Sequence, residues 1–258
     1  MKKLEPYEKI LTKLIGLVGG LIVLSAGLSG FDITGYIEEL MQSSESGVHG
    51  VSQEEAPDIA ELIPAQKGKT YVEINGNEPF FTRTEIKAAA ERVDPYEKYS
   101  DLDKLGRCGP AEALLDESLM PIEERGSIGM IKPSGWHTYR YDDVIEDKYL
   151  YNRCHLIGYQ LTGQNANEKN LITGTRHMNV EGMKPFESRI ARYIRRTGNR
   201  VLYRVTPIFD GSDLVAKGVL MEAWSMEDSG EGICFNVFVY NSQPGVVIDY
   251  ATGESRRE

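Results

Sequence analysis

The residues with the clearest chemical potential lie in one short stretch that contains Asn152, Arg153, Cys154 and His155. Its apolar surroundings predict a β-strand, in which successive side chains face opposite sides, so Arg153 and His155 share a face. A cation is thereby placed beside a titratable base, whereas adjacent Cys154 and His155 point apart and do not form a thiol dyad. Histidine has an unperturbed pKa of about 6.5, so a largely neutral His155 can accept a proton from water at physiological pH.

A second polar residue, Asn179, follows the predicted strand Asn170–Thr175 and precedes a segment with helical spacing. Magnesium keeps several of its water molecules and needs few protein ligands, so a single amide oxygen can anchor it. Taken alone, Asn179 is more typical of a helix cap and His155 of a packed core histidine. Together, a base and a cation anchor match the needs of phosphodiester hydrolysis.

The formal net charge of −10 argues against a nucleic-acid-binding protein, but the charge is unevenly distributed. Residues 31–65 contain eight acidic residues and no Lys or Arg. Residues 176–204 contain eight basic and two acidic residues, a local net charge of +6. This basic element predicts contacts with phosphates rather than bases, or else a solvated helix face. The arginines expected to bind nucleic acid are Arg189, Arg192, Arg195, Arg196 and Arg204.

These residues carry a resemblance to the DNA/RNA non-specific endonuclease family, which includes DNA-entry nucleases of Gram-positive bacteria. The resemblance covers about residues 70–250, and it implies a ββα-metal (His-Me) finger core. In that family an Asp-Arg-Gly-His motif supplies the general base, which His155 matches, with Arg153 at the motif's Arg. Asn179 matches the magnesium-binding Asn at the start of the following helix. Glu187 matches a Glu on that helix, where it would order the metal's solvent or pair with an arginine.

The sequence departs from the family motif at two positions, with Asn152 in place of Asp and Cys154 in place of Gly. Neither is the base or the metal ligand, and Asn152 can still form hydrogen bonds but brings no charge. Asn170 is expected either to face the site or to occupy a turn. Arg107 and Arg125 are further candidates for phosphate contacts, and only their positive charge supports this prediction. Trp136 is expected either to stack on a nucleobase or to be a buried structural residue.

The pattern of elements predicts an α+β fold with a central antiparallel sheet. Three C-terminal strands are expected in residues 200–209, 214–226 and 233–241, preceded by a helix over about 181–197 that ends at Gly198. Earlier elements are a helix capped by Thr82 or Thr84 and a strand in Ser127–Ile131. The three cysteines, Cys108, Cys154 and Cys234, show no metal-finger spacing and leave their pairing open.

The N-terminus predicts export. Four lysines precede an uncharged run over residues 14–31, which is either a signal-peptide core or a short membrane anchor. Residues 32–69 are acidic and rich in serine, which predicts a flexible spacer. The predicted organisation is therefore a leader (1–31), a spacer (32–69) and an endonuclease domain (70–258).

We therefore predict a secreted or surface-anchored bacterial endonuclease that cuts DNA and RNA without sequence preference. The resemblance implies magnesium, with manganese as a substitute, and products with 5′-phosphate and 3′-hydroxyl ends. Two alternatives are a catalytically impaired surface module that binds nucleic acid, and a toxin-type nuclease with a protein inhibitor as partner.

Overall fold

The computed structural model describes residues 59–258. The predicted leader and most of the predicted spacer lie outside the described residues. In the part that is described, no helix has the length and apolar character needed to span a membrane.

The largest element is a six-stranded antiparallel sheet. Its strands are β1 (Tyr71–Glu73), β2 (Tyr96–Tyr99), β3 (Ala111–Leu115), β6 (Val201–Ile208), β7 (Gly218–Ser225) and β8 (Cys234–Tyr240). They are ordered β1-β8-β7-β6-β3-β2, and every neighbouring pair is antiparallel. The α+β class, the central antiparallel sheet and the three C-terminal strands are confirmed.

Two smaller hairpins complete the strands. One consists of β4 (Tyr151–His155) and β5 (Leu171–Thr175), and the other of β9 (Val246–Ile248) and β10 (Ser255–Arg257). The amide of buried Asn241 joins β5 to the large sheet, because it donates to the Thr173 carbonyl and accepts from the Thr175 N–H. The outer edge of β5 is therefore covered, whereas within residues 59–258 β4 pairs with β5 alone.

The helices are α1 (Ile59–Leu62), α2 (Arg83–Glu91), α3 (Tyr159–Thr162) and α4 (Lys184–Thr197). Thr82 caps α2, since its hydroxyl accepts from the Glu85 N–H and the Glu85 carboxylate accepts from the Thr82 N–H. One π-helical turn, Met178–Met183, leads directly into α4. Helix α4 ends at Gly198, as the sequence predicts. The φ of this residue, 72°, lies in the left-handed region that favours glycine.

The sheet separates two packed layers. Alternate residues of β6 point to opposite sides, with Val201, Tyr203 and Val205 in the main core, which also contains Ile190 and Ile194 of α4. On the other side, a smaller cluster packs beneath α2. Burying each large aliphatic side chain stabilises the fold by about 1.5–3 kcal/mol. Helix α4 is thus held firmly by its apolar face while its other face meets solvent.

Three features differ from the sequence predictions. Residues 127–131 form no strand but an irregular loop, whose backbone carbonyls bind Arg153. The segments Tyr96–Tyr99 and Ala111–Leu115, which no strand pattern marks, are paired strands of the sheet. Contacts also begin before residue 70, because the Tyr240 hydroxyl donates to the Pro64 carbonyl at 2.6 Å.

Candidate active site

The β4–β5 hairpin and the helical turn after it bring Asn179 into contact with Asn152 and Cys154. Gly174 lies opposite Asn152 in the hairpin. A Cβ at Gly174 would come within 2.7 Å of the Cys154 Cβ and 2.6 Å of the Met178 methyl carbon. Only glycine therefore lets the turn Met178–Met183 approach this face of the hairpin, and that approach brings Asn179 to β4.

His155 ends β4 and is only 7% exposed. Its Nε2 lies 2.9 Å from the carbonyl oxygen of Asn165. Because a carbonyl can only accept, Nε2 carries the proton of the neutral ring and Nδ1 carries the lone pair, to which Nη2 of Arg125 can donate. The fold thus orients His155 with Nδ1 as its basic atom.

Arg125 lies beside that basic atom, with its Nη2 3.5 Å from Nδ1 of His155. Its side chain is exposed and projects from the loop before Gly126. Burial lowers the pKa of His155 below its ordinary value, and the positive charge of Arg125 lowers the pKa further, whereas the Asn165 carbonyl raises it. His155 is therefore neutral at physiological pH and able to act as a base. In the sequence, only the positive charge of Arg125 indicated a role at the site.

Asn179 is held from both ends of its amide. Its Nδ2 donates to Asn152 Oδ1 at 3.2 Å, and its Oδ1 lies 3.3 Å from the Cys154 sulfur, whose S–H can donate to it. Complete burial raises the pKa of the Cys154 thiol, so the sulfur stays protonated. Asn152 thus orients the predicted metal ligand, and Cys154 contacts that ligand.

Asn170 does not face the site. Its fully buried amide accepts from the Ile157 N–H and donates to the Ile157 carbonyl, each at 2.9 Å. It is neither the site-facing residue nor the simple turn residue that the sequence suggests. Because Ile157 is two residues from His155, Asn170 fixes the backbone that follows the base.

Glu187 fixes the next residue of the same backbone. Its Oε1 accepts from the Gly158 N–H at 2.8 Å, and a Cβ at Gly158 would lie 2.4 Å from Oε2. Within residues 59–258 Glu187 forms no ion pair with an arginine. Burial raises the pKa of this carboxyl to about 7, although the Gly158 N–H and the Gln160 side chain lower it. Glu187 therefore supports the chain that carries His155.

Arg153 lies on the same side of β4 as His155, and backbone carbonyls hold its Nε and Nη2. It donates to the carbonyls of Ile131 and Gly129, the latter at 2.8 Å. Its guanidinium carbon also lies 4.0 Å from the centre of the Trp136 ring. Neutral carbonyls and an aromatic face leave its charge uncompensated, so Arg153 acts as a fixed positive charge beside β4.

Four of the predicted nucleic-acid-binding arginines lie on the exposed surface of α4: Arg189, Arg192, Arg195 and Arg196. Among the described residues none of the four forms an ion pair. Arg189 has one backbone contact, from its Nη2 to the Gly232 carbonyl at 3.4 Å. Together with Lys184, these residues form a basic surface open to solvent.

Arg204 is wrongly placed in that group. It lies on the opposite side of the sheet, where its Nε is 2.9 Å from Glu222 and its Nη1 is 2.8 Å from Glu85. Its guanidinium also covers the Phe81 ring at 4.6 Å. The alternation of side chains along β6 turns Arg204 away from α4, so it is a structural ion-pair residue.

The candidate site has two halves, one on each face of β4. Asn152 and the amide of Asn179 lie on one side of this strand, whereas Arg153 and His155 lie on the other. A cleft of about 400 Å³ is lined by three consecutive residues, Tyr151 to Arg153, and so runs along the free edge of β4. The cleft is lined by Asn152 from one face of β4 and by Arg153 from the other, whereas His155 and Asn179 are not among its lining residues.

The donor atoms at Asn179 fit a hard divalent cation. No cluster of three or more His, Cys, Asp or Glu side chains in the described part of the chain could hold a metal ion. A single amide oxygen at Asn179 would suit magnesium, because this ion retains most of its water. The neighbouring Cys154 thiol is protonated and is not an ionised sulfur ligand.

A hairpin followed by a helix that carries an oriented Asn, with an oriented His on the hairpin, defines a ββα-finger nuclease core. The model of the family described as DNA/RNA non-specific endonuclease matches residues 86–226. The chain therefore belongs to the DNA/RNA non-specific endonuclease family.

Individual relatives agree with this assignment. NucA from Streptococcus agalactiae with a magnesium ion bound is 28% identical, with a TM-score of 0.64, over 76% of this chain and 90% of that one. The Sda1 nuclease with a bound zinc ion shares the fold, with 23% identity and a TM-score of 0.59 over 73% of this chain and 97% of that one. A deoxyribonuclease from Streptococcus dysgalactiae subsp. equisimilis is 31% identical over 112 residues, 42% of this chain. That match spans 33% of the deoxyribonuclease, about a third of its length.

Proposed function

We propose that this protein is an exported endonuclease that hydrolyses phosphodiester bonds of DNA and RNA without sequence preference, with the help of a divalent metal ion. One observation carries the proposal. The free edge of β4 is flanked by a histidine whose Nδ1 is available as a base and by an asparagine whose amide is oriented by its neighbours. A phosphodiester lying along that edge would meet both groups.

His155 takes the proton from the attacking water at Nδ1, while the Asn165 carbonyl holds the ring through Nε2. The resulting hydroxide forms a bond to phosphorus as the bond between phosphorus and the 3′ oxygen breaks, and the leaving 3′ oxygen takes a proton from solvent to become a hydroxyl. Arg125, whose guanidinium adjoins Nδ1, faces the negative charge that develops on the phosphate. Asn170 and Glu187 keep the backbone after the base in place.

Asn179 would hold the divalent cation, and Asn152 would keep the Asn179 amide in position. When bound, such a cation supplies positive charge that offsets the charge developing on the phosphate and the leaving oxygen. Magnesium is the proposed metal, and the magnesium-bound structure of NucA at 28% identity supports it. Manganese, which also prefers oxygen ligands, is the proposed substitute.

The exposed arginines of α4 would bind the flanking phosphates. Contacts with the phosphate backbone position a nucleic acid but carry no sequence information, which fits a nuclease without sequence preference. The basic flank and uncharged run before residue 32 support export.

Nicking of a supercoiled plasmid by the full-length chain in the presence of Mg²⁺ tests the proposal. Wild-type protein should relax the plasmid, and His155→Ala should reduce the rate by about 10²- to 10⁴-fold with an unchanged circular dichroism spectrum. His177→Ala is the matched control and should still cut, because its ring contacts Thr70 rather than β4. Plasmid binding without any nicking by the wild type would instead establish the impaired binding module.

A further inference from the structure

A cleft beside the catalytic hairpin has a lining that the proposed hydrolysis does not use. Its volume is about 400 Å³, which is within the range of small-molecule binding pockets. Four aromatic residues line it: Trp136, Tyr139, Tyr149 and Tyr151. The polar part of the wall includes the charged side chains of Arg153, Arg176 and Asp147. An aromatic wall with fixed cations is suited to a planar, heteroaromatic ligand that is joined to a phosphate.

The four aromatic residues differ in how deeply they are buried and in whether they pack against the apolar core. Tyr151 is buried, and Trp136 and Tyr139 pack against the same small apolar cluster. Tyr149 is 47% exposed and does not belong to any of the apolar clusters formed by the described residues. Burying an exposed tyrosine face against a ligand gains both apolar contact and stacking. Tyr149 is therefore the most exposed ring of the cleft, and its nearest cation is Arg140, whose guanidinium carbon lies 5.8 Å from the ring centre.

The charges of the cleft are fixed in position. Arg153 is held by two neutral carbonyls and the Trp136 ring, so its positive charge is not neutralised. Arg176 forms an ion pair with Asp147 at the cleft wall. The three charged groups together leave a net charge of +1, which favours an anionic ligand. A pre-positioned guanidinium also loses little side-chain freedom when it binds a phosphate.

Asn152 connects this cleft to the metal-binding position. It lines the cleft and its Oδ1 accepts from the Asn179 amide. A ligand in the cleft therefore lies next to the groups proposed to hold the cation. Since the substrate is a polynucleotide on the proposed function, the aromatic ligand nearest to the scissile phosphate is one of its own bases.

We propose that this cleft binds an unstacked nucleobase next to the phosphate that is cut, with Tyr149 as the stacking face, an inference that rests on the proposed function. Stacking tolerates every base because every base has a π-face, so this contact adds affinity without sequence preference. A base inside a duplex must leave its stack before it can enter the cleft. The protein therefore binds a single strand more tightly than the same sequence in a duplex.

The test uses the full-length chain carrying His155→Ala, so that the probe is not cut. The probe is a short single-stranded oligodeoxynucleotide with one fluorescent adenine analogue, whose emission falls when it stacks on an aromatic ring. On this background, Tyr149→Ala should raise the Kd about tenfold and abolish the fall in emission, whereas Tyr149→Phe should preserve both. Tyr71→Ala is the matched control, because Tyr71 is 43% exposed, lies outside the cleft and should leave both readings unchanged.

Wild-type Kd and wild-type quenching in the Tyr149→Ala chain would overturn the assignment of the cleft. An equal Kd for the single strand and the duplex would overturn it as well. Plasmid nicking by the chain with an intact His155 separates the two proposals. If that chain cuts and Tyr149→Ala changes nothing, only the cleft assignment fails, whereas a chain that neither cuts nor binds the probe removes both.

Discussion

The side-chain amide of Asn179 donates a hydrogen bond to Oδ1 of Asn152 at 3.2 Å. This contact joins the first turn after the hairpin to the middle of β4, and it fixes which way the amide oxygen of Asn179 points. Groups that orient a metal ligand typically contribute strongly to metal affinity, although they do not touch the metal. The residue at which the chain departs from the family's Asp therefore still performs an orienting task.

Asn152→Ala is expected to weaken binding of Mn²⁺, used as a spectroscopic substitute for magnesium, by about 10- to 100-fold. The physical reason is that the Asn179 amide loses its partner and its fixed orientation. Titration of Mn²⁺ followed by electron paramagnetic resonance measures the affinity directly. Asn152→Asp is the matched variant, since it keeps the acceptor and adds a negative charge, and it should bind Mn²⁺ at least as tightly as wild type. Equal affinities of the Ala variant and wild type would contradict the orienting role.

The acid limb of the pH profile should depend on Arg125. His155 must be unprotonated to act as a base, so kcat/KM falls as the pH drops through its pKa, which burial and the charge of Arg125 hold below the ordinary value. Arg125→Gln removes the charge, raises the pKa of His155 and should move the acid limb to higher pH. Arg125→Lys keeps a charge and should move it less. A Gln variant with the wild-type acid limb would show that Arg125 does not act on His155.

Glu187→Gln should change how stability depends on pH. The carboxyl has a pKa of about 7 in the folded chain, above its ordinary value of 4.5, so the unfolded chain loses this proton at lower pH. The free energy of unfolding of the wild type therefore falls as the pH rises from 4.5 through about 7, by roughly 1–3 kcal/mol relative to the Gln variant. Gln can still accept from the Gly158 N–H. Denaturant unfolding of both proteins at about pH 5 and about pH 8 gives the difference, and parallel pH dependences would refute it.

The arginines of α4 and Arg204 should give opposite phenotypes. Replacing Arg192, Arg195 and Arg196 by Gln should weaken binding of duplex DNA with little loss of stability. The slope of the logarithm of the binding constant against the logarithm of the salt concentration should become shallower by about 0.9 for each phosphate contact that is lost.

Arg204→Gln should leave this slope unchanged but lower the free energy of unfolding by about 3 kcal/mol, because Glu222, whose side chain is 2% exposed, loses its cation. Fluorescence anisotropy over a salt series and denaturant unfolding measure the two effects. A salt slope that changes in Arg204→Gln would contradict its structural role.

Much of the fold can be read from local patterns. The alternating apolar strands after residue 200, the helical spacing before Gly198 and the Thr82 cap all depend on neighbours along the chain. The segment Ala111–Leu115 shows the limit, because Ala, Glu and Leu are good helix formers. It is nevertheless a strand, paired on one edge to the nearby β2 and on the other to β6, which begins only at Val201.

The sequence by itself determined which residue types the candidate site offers: a histidine at 155, an amide at Asn179 and a basic helix beyond it, because residue type and periodicity are local properties. Only the tertiary structure decided which atom of His155 is basic, through the Asn165 carbonyl, and which guanidinium stands beside it. Likewise, the sheet turned Arg204 inward, and packing assigned Asn170 and Glu187 to the backbone after His155. These outcomes depend on contacts between elements distant in sequence, where burial and hydrogen-bond satisfaction, rather than spacing along the chain, determine where each polar group lies.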